Sequence, residues 1–160
     1  MLYNTKMITN NLRIKHNEAL AQLNYEIARH TVQPNDVMAL GKNLFELGFD
    51  EITDGFWVWD IKGNKEYYSH KFRKSLGFEG EHDFPSVPQS WMNQILPEYL
   101  DLALSMFEKH ENDPNEPYFV PCEYRTKQGE QIRLYCMGTI VNREMKSSNQ
   151  IMLGTHELRE

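Results

Sequence analysis

From Phe56 onward the apolar residues stop recurring at every third or fourth position. They begin to alternate, in short runs separated by turn residues. Alternation places one face of each run toward a core, so this part of the chain has to be built as a sheet. Phe56-Trp57-Val58-Trp59-Asp60 is the first run, and Lys62-Gly63-Asn64-Lys65 turns it back into a second over 65–69, a hairpin. Three more runs close the chain: 118–126, then 131–142 after Lys127-Gln128-Gly129-Glu130, then 149–157 after Lys146-Ser147-Ser148. Helical signals lie between the hairpins. Ser69 stands where an N-cap belongs, before a short helix that stops at Gly77. Ser90 to Ile95 forms another short helix, and Pro97 opens a longer one to about residue 111. Hairpins at both ends with helices between them predict an α+β fold: an antiparallel sheet with its helices segregated to one face.

The first thirty residues read differently. Residues 5–30 contain no Gly or Pro, and Ile8, Leu12, Ala19, Leu20, Leu23 and Ile27 recur at steps of three and four. This is an amphipathic helix with one apolar stripe. Gln33-Pro34 ends it, Asp36 caps a second helix through about residue 47, and Gly48 lies just beyond. The division expected is a helical extension over 1–34 and a domain over 35–160.

Composition removes several classes of function. A formal net charge of −6 over 160 residues gives no basic face for phosphate, so no nucleic-acid partner is expected. No run approaches the ~18 continuous apolar residues of a membrane span, and the first residues lack a signal-peptide core. A cytoplasmic protein is therefore expected, with Cys122 and Cys136 as reduced, half-buried thiols far from zinc-pair spacing.

The residues now resemble a known family. Gly55-Phe56-Trp57-Val58-Trp59-Asp60 resembles the G-x-W-x-W-D opening of a large bacterial subgroup of Per-Arnt-Sim (PAS) domains. Tyr67-Tyr68-Ser69 with Ser75-Leu76-Gly77-Phe78 resembles its second strand and first helix. Trp91 with Ile95-Leu96-Pro97-Glu98-Tyr99 resembles its W-x-x-x-I-H-P-x-D segment. Glu123-Tyr124-Arg125, Gly129, Gly138 and Gly154-Thr155 resemble its closing strands. The resemblance implies the PAS fold, a five-stranded antiparallel sheet with helices on one face, preceded here by the N-terminal amphipathic helix. It also implies a sensory module without catalysis. Leu96 replaces the family's histidine, and His156-Glu157-Leu158 stands where an Asp-Ile-Thr triplet usually couples to a downstream domain. Output by surface contact follows, with a histidine kinase or response regulator in trans as the implied partner class. The docking surface expected joins the outer sheet face to the N-terminal helix and is edged by Glu123, Arg125 and Arg133.

The concave face of such a sheet holds either core or a small ligand. Trp57, Trp59, Tyr68, Leu104, Phe107, Cys122, Tyr124, Leu134 and Cys136 are the candidates to line a pocket for a small apolar metabolite. Plain packing of the same residues is the alternative, since most apolar stripes are core. No cofactor is expected. His110 is the only histidine on the long helix able to ligate haem, and its place in the last turn suits an exposed residue favoured by the helix dipole. The Asn-Cys-Arg-Phe-Leu-Gln motif of flavin-based light sensors is missing from the sequence. Asp54, Asp60, Glu66 and Glu123 with His70 or His82 have no catalytic spacing, and Asp60 suits a turn cap at Gly63. A small α+β cone enzyme of the isomerase or dehydratase type is the distant alternative, and a ligand-free dimeric scaffold the nearer one. For the N-terminal stripe the expectation is a homodimer interface of Ile8, Leu12, Leu20, Leu23 and Ile27, because an isolated helix of this length is marginal in water. Folding back onto its own sheet, or into a partner's groove, would bury the same stripe.

Overall fold

A computed structural model describes residues 2–28, 36–141, 143 and 150–159, with side chains in the first helix described over 10–25. Helix α1 (Leu2–Ala28) is followed by α2 (Val37–Glu46) and a single turn, α3 (Phe49–Ile52). The hairpin β1 (Phe56–Asp60) and β2 (Lys65–Tyr68) leads to α4 (His70–Ser75), α5 (Gln89–Met92) and α6 (Pro97–Asn112). Strands β3 (Tyr118–Arg125), β4 (Gln131–Ile140) and β5 (Ile151–Leu158) complete the chain.

Local chemistry accounts for most boundaries. Asp36 accepts from Ala39 N–H at 3.0 Å and starts α2. Asp60 accepts from Gly63 N–H at 2.8 Å and sets the hairpin turn. The Ser69 hydroxyl accepts from Phe72 N–H and also from Phe56 N–H at 3.0 Å, so one side chain caps α4 and ties it to β1. Gly55 has φ 137°, and a Cβ there would lie 2.8 Å from Phe72 Cβ. A glycine is needed at that approach.

The strand order is β2-β1-β5-β4-β3, antiparallel at every pairing. Alternation sends Trp57, Glu66, Tyr68, Tyr118, Val120, Cys122, Tyr124, Leu134, Cys136 and Met152 inward, under α4, α5 and α6. Phe56, Val58, Ile151 and Leu153 point to the other face, where Val37, Leu40 and Leu44 of α2 and Ala19 and Leu23 of α1 cover them.

Helices α4, α5 and α6 lie together on one face, as expected, and α1 and α2 add a second layer on the opposite side. The reason is hydrophobic: Phe56, Val58, Ile151 and Leu153 make the outer face apolar along β1 and β5, and an exposed apolar sheet face attracts a cover. The stripe of α1 is therefore used within the chain. Leu12 and Leu23 are fully buried and Leu20 half-buried within the single chain, which is the fold-back alternative for the stripe. Ile8 and Ile27 lie outside the described side chains, and the turn at 146–148 lies outside the described residues. His16, on the same stripe, is 2% exposed. One ring nitrogen is 3.1 Å from Thr155 Oγ1 on β5 and the other 2.9 Å from Thr139 Oγ1 on β4. The imidazole thus pins α1 across two strands.

Candidate functional site

Inside the sheet, between its concave face and α6, is a cavity offering about 30 Å³ to the centres of water-sized molecules. One water needs about 10–15 Å³ on that scale, so the space suits a compact small molecule. Strand β1 supplies Trp57 and Trp59, and β2 supplies Glu66 and Tyr68. Strands β3 and β4 supply Tyr118, Val120, Cys122, Tyr124 and Cys136, and β5 supplies Met152 and His156. Helix α6 supplies Ala103, Leu104 and Phe107, with Trp91 and Ile95 from the α5 region and Phe72 from α4. Eight of the nine residues chosen from sequence thus come together around one space. Leu134 does not reach it and packs in the core beside it. Leu104 is half in solvent, so the α6 side is the mouth.

The wall is held by polar ties just outside it. Arg73 donates to Phe84 O at 3.1 and 2.9 Å and to Tyr68 O at 3.2 Å, which fixes the 79–88 loop against the end of β2. Tyr68 Oη donates to Val87 O at 2.7 Å. Leu96 N–H donates to Glu123 O, and Arg125 N–H to Gln94 O, seating the α5–α6 junction on β3.

Three polar groups distinguish this wall from ordinary core. Glu66 is 2% exposed, and burial holds its carboxyl well above the usual carboxylate range, with side-chain hydrogen bonding to Trp91 and Tyr68 pulling part of the way back. Its Oε1 has no partner among the described residues. Neither has Trp59 Nε1, directly opposite Glu66 in the β1–β2 register. His156, 1% exposed, has both ring nitrogens without a partner among the described residues, and burial lowers its pKa to about 3. Its ring lies 4.6 Å from that of Phe72, tilted by 31°. Trp57, by contrast, turns its indole toward the Cys136 thiol.

Two expectations about this region need correction. The thiols are buried outright, not half-buried. Burial pushes Cys122 up to about 12 and Cys136 well above its usual value, so neither is a nucleophile at neutral pH. His110 is not an exposed cap. It is 4% exposed, with Nδ1–H donating to Glu116 O at 2.7 Å and Nε2 accepting from Ile140 N–H at 3.1 Å. Both nitrogens are used in tying α6 to the end of β4, and its pKa is lowered by burial.

The other titratable candidates do not converge. Asp54 accepts from Leu158 N–H at 2.7 Å, Asp60 caps its turn, and Glu123 pairs with Arg133 at 2.8 Å. His70 and His82 are exposed. Among the described residues no group of three or more His, Cys, Asp or Glu could hold a metal. Among the described residues no helix is long and apolar enough to cross a membrane. Sequence reasoning placed Glu66 only among scattered carboxylates and passed over His156. The signal for Glu66 was present, since it stands two residues from Tyr68 and so on the same face.

The family profile described as PAS fold matches residues 65–156. Among solved structures, a sensory box histidine kinase/response regulator from Burkholderia thailandensis E264 is similar at 23% identity and TM-score 0.56, covering 72% of this chain and 83% of that one. A light-oxygen-voltage domain from work on a flavin analogue is 16% identical with TM-score 0.55, covering 78% and 87%. The PAS domain of the fruit-fly ELK potassium channel is 15% identical with TM-score 0.54, covering 73% and 95%. No curated protein sequence matches the chain.

Proposed function

Since the chain belongs to the PAS-fold family, we propose that it is a sensory module that holds a small apolar metabolite and reports its presence by protein contact, without catalysis of its own. The observation that carries this reading is the wall itself: an aromatic-lined cavity in which three side chains have buried polar atoms with no partner among the described residues. A core evolved only for packing would pair or omit such groups, because an orphaned buried polar atom costs about 1–3 kcal/mol. The opening Gly55 to Asp60 supports the bacterial subgroup, and a histidine kinase or response regulator acting in trans is the partner class. Residues 35–160 form the module and 1–34 an extension, of which α1 covers the outer face of the sheet.

Native mass spectrometry of freshly purified protein tests the ligand half. A mass increment that disappears on denaturation supports it. Bare protein from several growth conditions, unresponsive to small-molecule libraries, would leave the scaffold reading in possession. That second reading has its own observation: on the outer face beyond α1, Phe119 and Tyr135 stack at 5.6 Å, half exposed, beside the Glu123–Arg133 pair. A homodimer on the solvent side of α1 would use Ile14 and Tyr25, 54% and 51% exposed. Arg125→Glu should weaken capture of a purified kinase or regulator domain without lowering the melting temperature. Equal capture by parent and variant counts against that surface.

A further inference from the structure

The pocket's ligand class can be narrowed, on the premise that the cavity is a ligand site as proposed above. The two orphaned atoms at its β1–β2 end are of opposite kind. Trp59 Nε1–H can only donate, and Glu66 Oε1 is free to accept. They stand on directly opposed residues of paired antiparallel strands, so they face the cavity side by side. One group that accepts from the first and donates to the second satisfies both. A hydroxyl does this. An ammonium has no lone pair for the indole; a carboxylate could take the proton of a neutral Glu66 carboxyl, but it would bury a charge with no cation beside it. Net charge points the same way: no Lys or Arg lines the cavity to meet an anion. A cation would require Glu66 to ionise where burial opposes it. The remaining surface at this end is aromatic, with Phe107 packed on Trp59 at 5.0 Å, which fits a hydrocarbon body leading toward the mouth at Leu104.

We propose that the cavity selects a small neutral alcohol or phenol, its hydroxyl accepting from Trp59 Nε1–H and donating to Glu66 Oε1.

Indole N–H resonances of ¹⁵N-labelled full chain read this directly, and Trp59→Phe identifies the peak of Trp59 among the 3 tryptophans. The probes are isobutanol, isobutylammonium and isobutyrate, which share one body. Isobutanol should move the Trp59 peak saturably, with both ions at least tenfold weaker. Trp59→Phe, followed on the other indoles, should lose about two- to tenfold in affinity, the range of one neutral hydrogen bond. Glu66→Leu should lose a similar factor. Glu66→Gln, whose amide oxygen still accepts, should stay near the parent, and it carries the test if the leucine variant does not fold. Either ion binding as tightly as isobutanol, or isobutanol binding unchanged in both Trp59→Phe and Glu66→Gln,Trp59→Phe, overturns the hydroxyl assignment and leaves the pocket standing. If none of the three probes moves any indole peak, the pocket reading falls with it.

Discussion

Acid should loosen the attachment of α1, and the size of the effect follows from His16. The imidazole lies between Thr139 and Thr155, and burial, with a smaller contribution from the charge of His110, lowers its pKa from 6.5 to about 4. The folded state thus binds a proton less readily than the unfolded chain. Stability from this group is complete above about 6.5 and is lost as pH falls through about 4. Between pH 7 and pH 4.5 the linkage amounts to roughly 2–2.5 kcal/mol, on the scale of 1.36 kcal/mol per pH unit. His156 and His110 contribute in the same direction, and Glu66 in the opposite one, since its raised pKa stabilises only below its own titration. The parent alone therefore cannot isolate His16. His16→Gln can, because the amide still offers one donor and one acceptor but does not titrate. Urea unfolding of both proteins at half-unit steps from pH 7 to 4.5 is the assay. The parent should lose about 2 kcal/mol more than the variant over that range. Parallel slopes, or a His16 pKa near 6 measured by NMR in the folded protein, would refute the reasoning.

Trp57→Ala should destabilise the domain by about 3–5 kcal/mol in thermal or urea melts, and Trp59→Ala by less, because Trp57 is 7% exposed while Trp59 is only half-buried at the cavity. Gly154→Ala should cost about 1–3 kcal/mol, since the added Cβ would fall 2.0 Å from the Trp57 ring; melting unchanged from the parent would mean the ring is free to move. A chain starting at Asn35 uncovers Thr139, Thr155 and part of the apolar outer face. It should melt lower and scatter light as larger, self-associated particles, whereas a well-behaved monomer of unchanged Tm would show that α1 contributes nothing to the fold.

What could be read in the sequence was what short-range chemistry determines. The caps at Asp36 and Ser69, the Asp60–Gly63 turn and the inward pair Trp57 and Trp59 each depend on neighbours a few positions away. The destination of α1 was not readable that way. A stripe containing Ala19 and Leu23 states that something must cover it, and the covering surface, Phe56 with Val58 and Leu153, is distant in sequence. The same limit applies to the buried histidines. His110 looks like a helix-end cap until Ile140, on another strand, proves to donate to it. Glu66 looks like one acid among many until Trp59 faces it across the hairpin. The α3 turn, four residues without an apolar period, carried no signal at all.

The sheet also carries a constraint on how the protein is made. Strand β5 is last of the five in sequence and central in space, bonded to β1 on one side and β4 on the other. During synthesis the two hairpins therefore emerge as separate pieces, each with an unpaired edge, and no strand pairing joins them until residues 151–158 leave the ribosome. The Asp60–Ile151 pairing closes a long loop, a slow step for a chain of this size. Until then the apolar flanks of β1 and β4 are open to a chaperone or to another nascent chain.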